Sequence, residues 1–268
     1  MRSNVRTGWI AVGGALTVLA VLGVALVVWI GVTRVGVSQE TTRRLHPFTS
    51  PAIVVDTTGR VNVSVVSGTT EQLVVTRELS WIQHKPAVTE AWDGRTLRIG
   101  VTCPGADLDR GLVCQADYTL TLPAATDVEA TSPEGNVTAN GISGDLRLST
   151  VSGDVIVDNT LGRLWVRAGE GNVIGGGLRS AEADVEVGSG NAVLGFTRPP
   201  TDVRAMVRTG GDVEVTVPYG DGYRVEADAS DKSIDVQLDP EAPRKITALT
   251  AHGNLRIFSF SGMPGTGT

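Results

Sequence analysis

The chain has 268 residues and a formal net charge of −6 at pH 7; glycine is abundant at 33 residues, and aromatic residues make up only 4%. Glycine that punctuates β-branched residues favours many short strands joined by tight turns over a helical protein. A nucleic-acid partner would require a basic patch, and the negative charge argues against one. Composition therefore predicts an all-β protein that does not bind nucleic acid.

The start of the chain predicts a membrane anchor. No charged residue lies between Arg6 and Arg34, and this stretch is long enough to cross a hydrocarbon core of ~30 Å as a helix. A cleaved signal peptide is the alternative, but its apolar region usually runs only ~7–15 residues before a small-x-small cleavage site, which Val32-Thr33-Arg34 does not offer. We therefore predict an uncleaved transmembrane helix over residues 9–33, after a cytoplasmic tail of residues 1–8.

The two cysteines orient the chain, because arginines on both sides of the apolar stretch leave the positive-inside rule close to balanced. Cys103 and Cys114 flank a short loop of turn-forming residues, and an even pair at that spacing suits a disulfide, which persists only in an oxidising compartment. Two buried free thiols are the alternative, whereas a metal site would need more ligands than the cysteines and three scattered histidines supply. Residues 34–268 of this single-pass membrane protein are therefore predicted to lie outside the cytoplasm.

A repeat begins after Pro133. Glycine, a short polar residue and an alternating strand follow one another from Gly135, Gly153 and Gly171, which are 18 residues apart (153 − 135 and 171 − 153), with a weaker copy halfway between them. Self-similarity at a fixed period of about this length is typical of a solenoid. Each half-unit predicts one short strand and a turn, and two half-units complete one coil.

The polar residue after each turn glycine predicts a ladder of stacked side chains. The repeat loosens but continues through Gly190, Gly211 and Gly253, with Lys232-Ser233 filling the gap between the last two. Stacked coils place these polar side chains at one corner, where they form hydrogen bonds along the stack and tolerate unusual backbone angles. The predicted members of this turn ladder are Asn136, Asp154, Asn172, Asn191, Asp212 and Asn254.

Alternation within the strands predicts which side of each coil is buried. One alternate set is apolar, as at Leu146 and Leu148, and the other set is mostly polar, as at Arg147. This two-residue period is what a coil with a thin dry core requires. Ile156 and Trp165 break the polar set, and they mark either an exposed contact patch or the cover of an edge.

No catalytic or metal-binding constellation emerges. Calcium-binding β-rolls need paired glycines and a recurrent aspartate, whereas here an apolar residue follows the turn directly, which leaves room for one isolated calcium ion at most. Most of the candidate carboxylates for glycoside hydrolysis lie in turns that already favour Asp or Asn, and no pair among them is set apart. These candidates are Asp145, Asp154, Glu170, Asp184 and Asp212. We therefore predict no enzyme activity, no cofactor, and no catalytic, cofactor-binding or metal-ligating residue.

The style of the repeat resembles a known family. The segment Tyr118–Pro123 leads into Ser-Gly-Asp/Asn-Val turns such as Ser152–Val155, and the late strand Gly211–Pro218 has the same character. In these features the chain resembles the DUF4097 family of bacterial "putative adhesins" over residues 50–260. The resemblance implies a β-solenoid, often tethered to the membrane, that acts by surface interaction, and some relatives are linked to envelope-stress responses. It transfers no site residues, and the loop between the two cysteines is not part of its pattern.

Together these observations predict an all-β, single-stranded β-solenoid-like repeat domain preceded by one N-terminal transmembrane helix. The preferred function is a membrane-anchored extracytoplasmic binding or scaffold protein of the bacterial cell envelope, with an unknown protein or cell-wall partner. The alternatives are an envelope-stress sensor that acts through a membrane partner and, less favoured, a glycan-active enzyme. The predicted segments are the tail 1–8, the helix 9–33, an irregular polar stalk 34–50, an adhesin-like repeat domain 51–260 that includes 52–130 as a candidate distinct subregion, and a flexible tail 261–268.

Overall fold

The computed structural model of the chain describes residues 21–24, 37–69, 71–104 and 114–260. Residues 21–24 are helical, while the rest of the predicted transmembrane helix and both predicted tails lie outside the described residues. Within the described part of the chain, no helix has the length and the apolar character needed to span a membrane.

From residue 38 onward the described chain is almost entirely β-strand and turn, as its composition predicts. The strands are β1 Ser38–Pro47, β2 Ala52–Thr58, β3 Val61–Gly68, β4 Gln72–Trp81, β5 Ala87–Trp92, β6 Thr96–Thr102, β7 Cys114–Pro123, β8 Asp127–Glu134, β9 Val137–Asn140, β10 Leu146–Ser152, β11 Val155–Asp158, β12 Leu164–Glu170, β13 Val173–Leu178, β14 Glu182–Ser189, β15 Ala192–Phe196, β16 Asp202–Gly210, β17 Val213–Pro218, β18 Arg224–Asp228, β19 Asp231–Asp235, β20 Lys245–Thr250 and β21 Asn254–Phe260.

These strands form two sheets that enclose one core. The 11-stranded sheet has the order β1-β4-β7-β3-β9-β11-β13-β15-β17-β21-β19, and the 10-stranded sheet has the order β18-β20-β16-β14-β12-β10-β8-β2-β6-β5. From β8 onward consecutive strands alternate between the two sheets, so each coil contributes one strand to each. The all-β prediction is confirmed, and the coils stack through parallel pairs as in a solenoid.

The register between coils follows the period of the repeat. Leu146 of β10 pairs with Val128 of β8 and with Leu164 of β12, so equivalent residues are 18 apart (146 − 128 and 164 − 146). The apolar alternate set points inward, and residues such as Val155 and Val157 are fully buried. Each buried Val or Leu contributes roughly 1.5–3 kcal/mol, so a stack of coils is stable where a single coil is not.

Two coils lie out of chain order, one near each end of the stack. The β2–β3 coil lies between the β6–β7 coil and the β8–β9 coil. Near the other end, the β20–β21 coil lies between the β16–β17 coil and the β18–β19 coil. Lys232-Ser233 therefore does not fill the gap between Gly211 and Gly253, as the repeat predicted. Instead β21 pairs directly with β17, and β19 lies outside β21, because the closing coils stack in a different order from the chain.

Two predicted segments differ from the observed structure. Residues 38–47, in the segment predicted to be an irregular stalk, form strand β1 at the edge of the 11-stranded sheet next to β4. Strand β1 cannot be recognised from the sequence, because an edge strand with few buried side chains has no apolar residues at every second position. Strands from the candidate subregion 52–130 belong to the same two sheets as the repeat, through the pairs β2–β8 and β3–β9.

Candidate binding groove and turn ladder

The turn glycines stack where the chain passes from the 10-stranded to the 11-stranded sheet. Gly171 has a φ of 132°, and a Cβ there would overlap the carbonyl oxygen of Gly153 in the preceding coil. Gly190, with a φ of 128°, has the same relation to Gly171. Only glycine adopts such a φ and permits such a close backbone approach without strain, which explains why this turn repeats its glycine.

The polar residue after each glycine hydrogen-bonds to its equivalent in the preceding coil. The backbone N–H of each residue donates to the side-chain oxygen of its neighbour over 2.7 to 3.1 Å. The series runs from Asn136 through Asp154, Asn172, Asn191 and Asp212 to Asn254. All six predicted ladder residues therefore lie in one hydrogen-bonded row that organises the turns.

Sequence reasoning missed two members of this row. The N–H of Asn136 donates to Oδ1 of Asn62 over 2.8 Å, and Nδ2 of Asn62 donates to Oδ1 of Asp117 over 2.7 Å. Neither residue directly follows a glycine, and Asn62 is 74 residues from Asn136. The repeat signature therefore gave no sign of them.

The structure contains the predicted disulfide between Cys103 and Cys114. Cys103 directly follows β6 of the 10-stranded sheet, and Cys114 begins β7 of the 11-stranded sheet. The bond therefore closes the corner of one coil near the N-terminal end of the stack. Among the described residues, no group of three or more His, Cys, Asp or Glu side chains lies close enough together to hold a metal ion.

A groove of about 690 Å³ runs across the outer face of the 10-stranded sheet, over β2, β8, β10, β12, β14, β16 and β20. Its volume is within the range of small-ligand sites. The carboxylates along it are those of Asp127, Glu129, Asp145, Glu182, Asp184 and Asp202. The cationic side chains along it are those of Arg95, Arg147, Arg163, Arg204 and Lys245. The charges nearly balance, so the groove does not suit a polyanion.

Trp165 lies in the middle of this groove as a half-buried aromatic side chain. It faces outward from β12, in register with Arg147 of β10 and Asp184 of β14. The guanidinium carbon of Arg147 is 4.4 Å from the ring centroid, and that of Arg167 is 4.2 Å from it. Both distances are short enough for cation–π attraction, which orients the indole.

An ion-pair network positions Arg167 beside Trp165. Nη2 of Arg167 lies 2.9 Å from Oδ2 of Asp184, and its Nε lies 3.5 Å from Oε2 of Glu186. Glu186 also pairs with Arg208, and Arg204 lies 3.8 Å from Oδ1 of Asp184. Arg147, in contrast, has no ion pair among the described residues and is exposed. The groove thus offers a half-buried indole with two guanidinium groups stacked on it, together with oriented carboxylates.

The corner of the groove is held by a second, shorter row of turn residues. The N–H of Asp145 donates to Oδ1 of Asp127 over 2.8 Å, and the N–H of Arg163 donates to Oδ1 of Asp145 over 2.9 Å. Partial burial would raise the pKa of Asp145, but the backbone N–H and guanidinium of Arg163 outweigh it and lower that pKa below its usual value. Asp145 is therefore a fixed acceptor at neutral pH.

The two outward apolar residues noted in the sequence have different surroundings. Trp165 lies in the groove, whereas Ile156 lies on the outer face of the 11-stranded sheet, in register with Ile174. They therefore do not form one patch. Arg147 and Arg167 carried no signal in the sequence, because charged residues at outward positions are also typical of an ordinary solvated face. Asp184 was recognisable only as one of several candidate carboxylates.

Comparisons with known proteins place the chain by family. No match was found among curated proteins. Among solved structures, a "putative adhesin" from Bacteroides fragilis is 13% identical, covers 83% of this chain and 98% of its own, and has a TM-score of 0.43. A "putative adhesin" from Parabacteroides merdae is 14% identical, covers 82% of this chain and 95% of its own, and has a TM-score of 0.41.

A third solved structure, a "putative cell adhesion protein" from Clostridium sporogenes, is 11% identical, covers 83% of this chain and 100% of its own, and has a TM-score of 0.36. The family comparison is more direct, since residues 51–263 match the description Toastrack DUF4097. That match extends over most of the chain and includes the groove, the turn ladder and the disulfide. The chain belongs to the Toastrack DUF4097 family.

Proposed function

We propose that the chain is a membrane-anchored, extracytoplasmic binding or scaffold protein of the bacterial cell envelope, and that it binds its ligand in the Trp165 groove without chemical conversion. The observation that carries this proposal is the outward indole of Trp165, which two guanidinium groups orient in the middle of a polar groove. Trp and Arg are among the residue types that contribute most to binding energy at protein interfaces.

The chemistry of the groove favours a polar ligand of low net charge. Arg147, which no ion pair holds among the described residues, can move off the indole ring, and the apolar face of a sugar ring can then stack there, while nearby guanidinium and carboxylate groups hydrogen-bond to its hydroxyl groups. The disulfide supports an envelope location, since a disulfide persists in oxidising compartments. Cell-wall polysaccharide is therefore the ligand class that we propose.

Co-sedimentation with insoluble cell-wall material tests this proposal. The full-length chain, solubilised in detergent, would be compared with Trp165→Ala and with Ile174→Ala, a matched loss of an exposed apolar side chain on the other sheet. We expect saturable pelleting that Trp165→Ala weakens at least about tenfold, equivalent to about 1.4 kcal/mol, while Ile174→Ala binds like the wild type.

Two results would contradict the proposal. Equal binding by wild type and Trp165→Ala, or no pelleting at all, would exclude the groove as the site for wall polysaccharide. Soluble sugar fragments released during the incubation would show an enzyme in place of a binding protein.

A further inference from the structure

The Trp165 groove is long and narrow. It crosses seven adjacent strands of the 10-stranded sheet, from β2 to β20, but a segment of at most three residues lines it at each strand. Neighbouring strands lie ~4.8 Å apart and successive residues of one strand ~3.3 Å apart, so the groove is roughly 29 Å long and about 7 Å wide. Its long axis therefore follows the stack of coils, at right angles to the strands.

Outward side chains form one straight row along the floor of this groove. The register between neighbouring strands is unbroken along the row. Its members come one each from β8, β10, β12, β14 and β16, and they are Glu129, Arg147, Trp165, Asp184 and Arg204. The indole is the central member, and one carboxylate and one guanidinium lie on each side of it. The row therefore offers a polar group at each strand beside the indole, and it has no net charge.

The backbone beneath this row is not available to a ligand. Each strand from β8 to β16 pairs with a neighbouring strand on both sides. An extended peptide binds a sheet by adding a strand to an exposed edge, and these strands have no such edge. Recognition in the groove therefore depends on side chains, which suits a ligand that is itself rich in hydroxyl groups.

The spacing of the row matches a straight sugar chain. A β-1,4-linked glycan has equatorial linkages, so it forms a straight ribbon whose rise per sugar is close to the distance between neighbouring strands. Successive sugars of such a chain lie over successive strands, whereas an α-1,4-linked chain coils away from a straight row. Because the row has no net charge, it favours an uncharged glycan over one with a carboxylate on each sugar.

The two arginines beside the indole differ in how firmly they are held. Arg167 lies 2.9 Å from Oδ2 of Asp184, whereas Arg147 has no ion pair among the described residues. Arg147 can therefore leave the ring of Trp165 to a sugar, and its guanidinium can hydrogen-bond to the next sugar, over β10. Arg167 continues to orient the indole from beside it.

We propose that the Trp165 groove binds an uncharged, β-1,4-linked glycan that is extended along the stack, with its central sugar on Trp165 and one sugar over each strand from β8 to β16. A segment of five sugars fills the row, one for each of its five strands. This inference rests on the proposed function, because both concern the same groove. It adds the linkage, the charge and the direction of the chain.

Calorimetric titration of the full-length chain, solubilised in detergent, tests the inference. The probes are β-1,4-linked oligomers of N-acetylglucosamine from the disaccharide to the heptasaccharide, and maltohexaose is the α-1,4-linked control. We expect the affinity to rise at least about tenfold from the disaccharide to the pentasaccharide and then to level off. We expect maltohexaose to bind at least about tenfold more weakly than the β-1,4-linked hexasaccharide.

A variant at one end of the row locates the chain. Glu129→Ala removes the carboxylate at β8, and we expect it to weaken binding of the pentasaccharide without changing that of the disaccharide, which centres on Trp165. The matched control is Glu214→Ala, which removes an outward carboxylate from the other sheet. We expect this control to bind both oligomers like the wild type, and circular dichroism would verify that each variant is folded.

Several outcomes would overturn the inference. They are equal affinity for the disaccharide and the pentasaccharide, equal affinity for maltohexaose and the β-1,4-linked hexasaccharide, failure of Glu129→Ala to weaken the pentasaccharide selectively, and no binding of any oligomer. The proposed function is decided separately by the pelleting of wall material. It stands without the inference if that pelleting still depends on Trp165, and both fail together if it does not.

Discussion

At the N-terminal end of the solenoid, antiparallel strands cover the last parallel coil, whereas at the C-terminal end the last parallel coil is itself exposed. Leu73, Val75 and Leu79 of β4 are buried, but no inward residue of β18 or β19 is. Repeat proteins need terminal elements that differ from the repeat, because a coil has only one neighbour there. This chain meets that need in two different ways.

The N-terminal cover contains a buried polar cluster. Arg77 and Glu90 point inward from opposite sheets, in register with Tyr118 and Ile99, and Nη1 of Arg77 lies 2.7 Å from Oε1 of Glu90. The Tyr118 hydroxyl donates to the same oxygen over 2.7 Å, and Arg44 lies 2.8 Å from Oε2. Side-chain exposure is only 14% for Arg77 and 12% for Glu90, so this pair joins the two sheets inside the cover.

Both ends therefore place charge at inward positions, but with different consequences. The N-terminal charges are paired and hydrogen-bonded, which permits strands to cover them. Lys232 has only a carbonyl oxygen as its hydrogen-bond partner, and it lies at an end that no further coil covers among the described residues. The comparison teaches that the inward charges are ion-paired where antiparallel strands cover them, whereas the inward charge at the other end has only a carbonyl oxygen as its partner.

The largest effect that breaks this comparison is expected from Glu90→Leu. The substitution removes the inward carboxylate of Arg77 and the acceptor of Tyr118, and loss of one partner of a buried pair costs about 3 kcal/mol or more. The matched control is Glu226→Gln at the other end, where an exposed pair with Lys245 contributes less than about 1 kcal/mol. Chemical denaturation measures both; equal stability losses at the two ends would contradict the comparison.

Removal of the disulfide should have the next largest effect. Cys103→Ala with Cys114→Ala opens a short loop in the coil of β6 and β7, and the chain-entropy model predicts a loss of about 3 kcal/mol. Hydrogen exchange would sharpen the result, because we expect faster exchange in β6 and β7 and no change in β18 and β19. A uniform change along the solenoid would show that the disulfide is not specific to the N-terminal cover.

A smaller effect is expected along the turn ladder. In the middle of the row, Asn172 donates to Asp154 through both its backbone and its amide, and its Oδ1 accepts from Asn191. Asn172→Ala should therefore cost about 1 kcal/mol in the free energy of unfolding, since it leaves ladder groups without a partner. Asn254→Ala, near the exposed end, should cost less because Asn254 only donates to Asp212 within the row. An equal cost at both positions in thermal denaturation would show that position in the stack is irrelevant.

The smallest effect is a dependence on alkaline pH. Burial, reinforced by Glu90, raises the pKa of Tyr118, and burial together with Asp221 raises the pKa of Tyr223 to about 12. Because an unfolded tyrosine titrates near ~10, the stability from both groups is present below that pH and is lost as the pH rises through ~10 toward the folded pKa values.

Two phenylalanine variants separate the tyrosines. At neutral pH, Tyr118→Phe should lose about 1 kcal/mol with its hydrogen bond to Glu90. Tyr223→Phe should lose less, because the Tyr223 hydroxyl is buried without a hydrogen-bond partner. Both should weaken the decline in melting temperature above pH ~10, and an unchanged decline in both variants would contradict the assignment.

Much of the repeat could be predicted from particular residues. Leu146, Leu148, Val155 and Val157 alternate with polar residues because one side of each coil faces the core. The glycine at each turn is required by its backbone angle and by the carbonyl of the coil before it, as at Gly171. These are local constraints, so they recur with the period of the repeat.

The candidate groove could be predicted only in part. Trp165 was recognisable as an aromatic residue at an outward position. Its surroundings were not, because Arg147 and Asp184 reach it through register with neighbouring strands, and other polar residues occupy equivalent outward positions. The surface chemistry of a sheet depends on which strands are adjacent.

The sequence by itself determined the coil: its strand length, its buried side and its turn glycines; it also favoured the disulfide between Cys103 and Cys114 over two free thiols. Only the tertiary structure decided the order in which the outer coils stack, which places β21 beside β17 and leaves β19 at the end. It also decided that the polar segment 38–47 is a strand and that Lys232 points inward. The physical reason is that all coils share the same alternation of apolar and polar residues. This pattern shows that each coil must be covered by a neighbouring coil, but it does not show which coil that neighbour is.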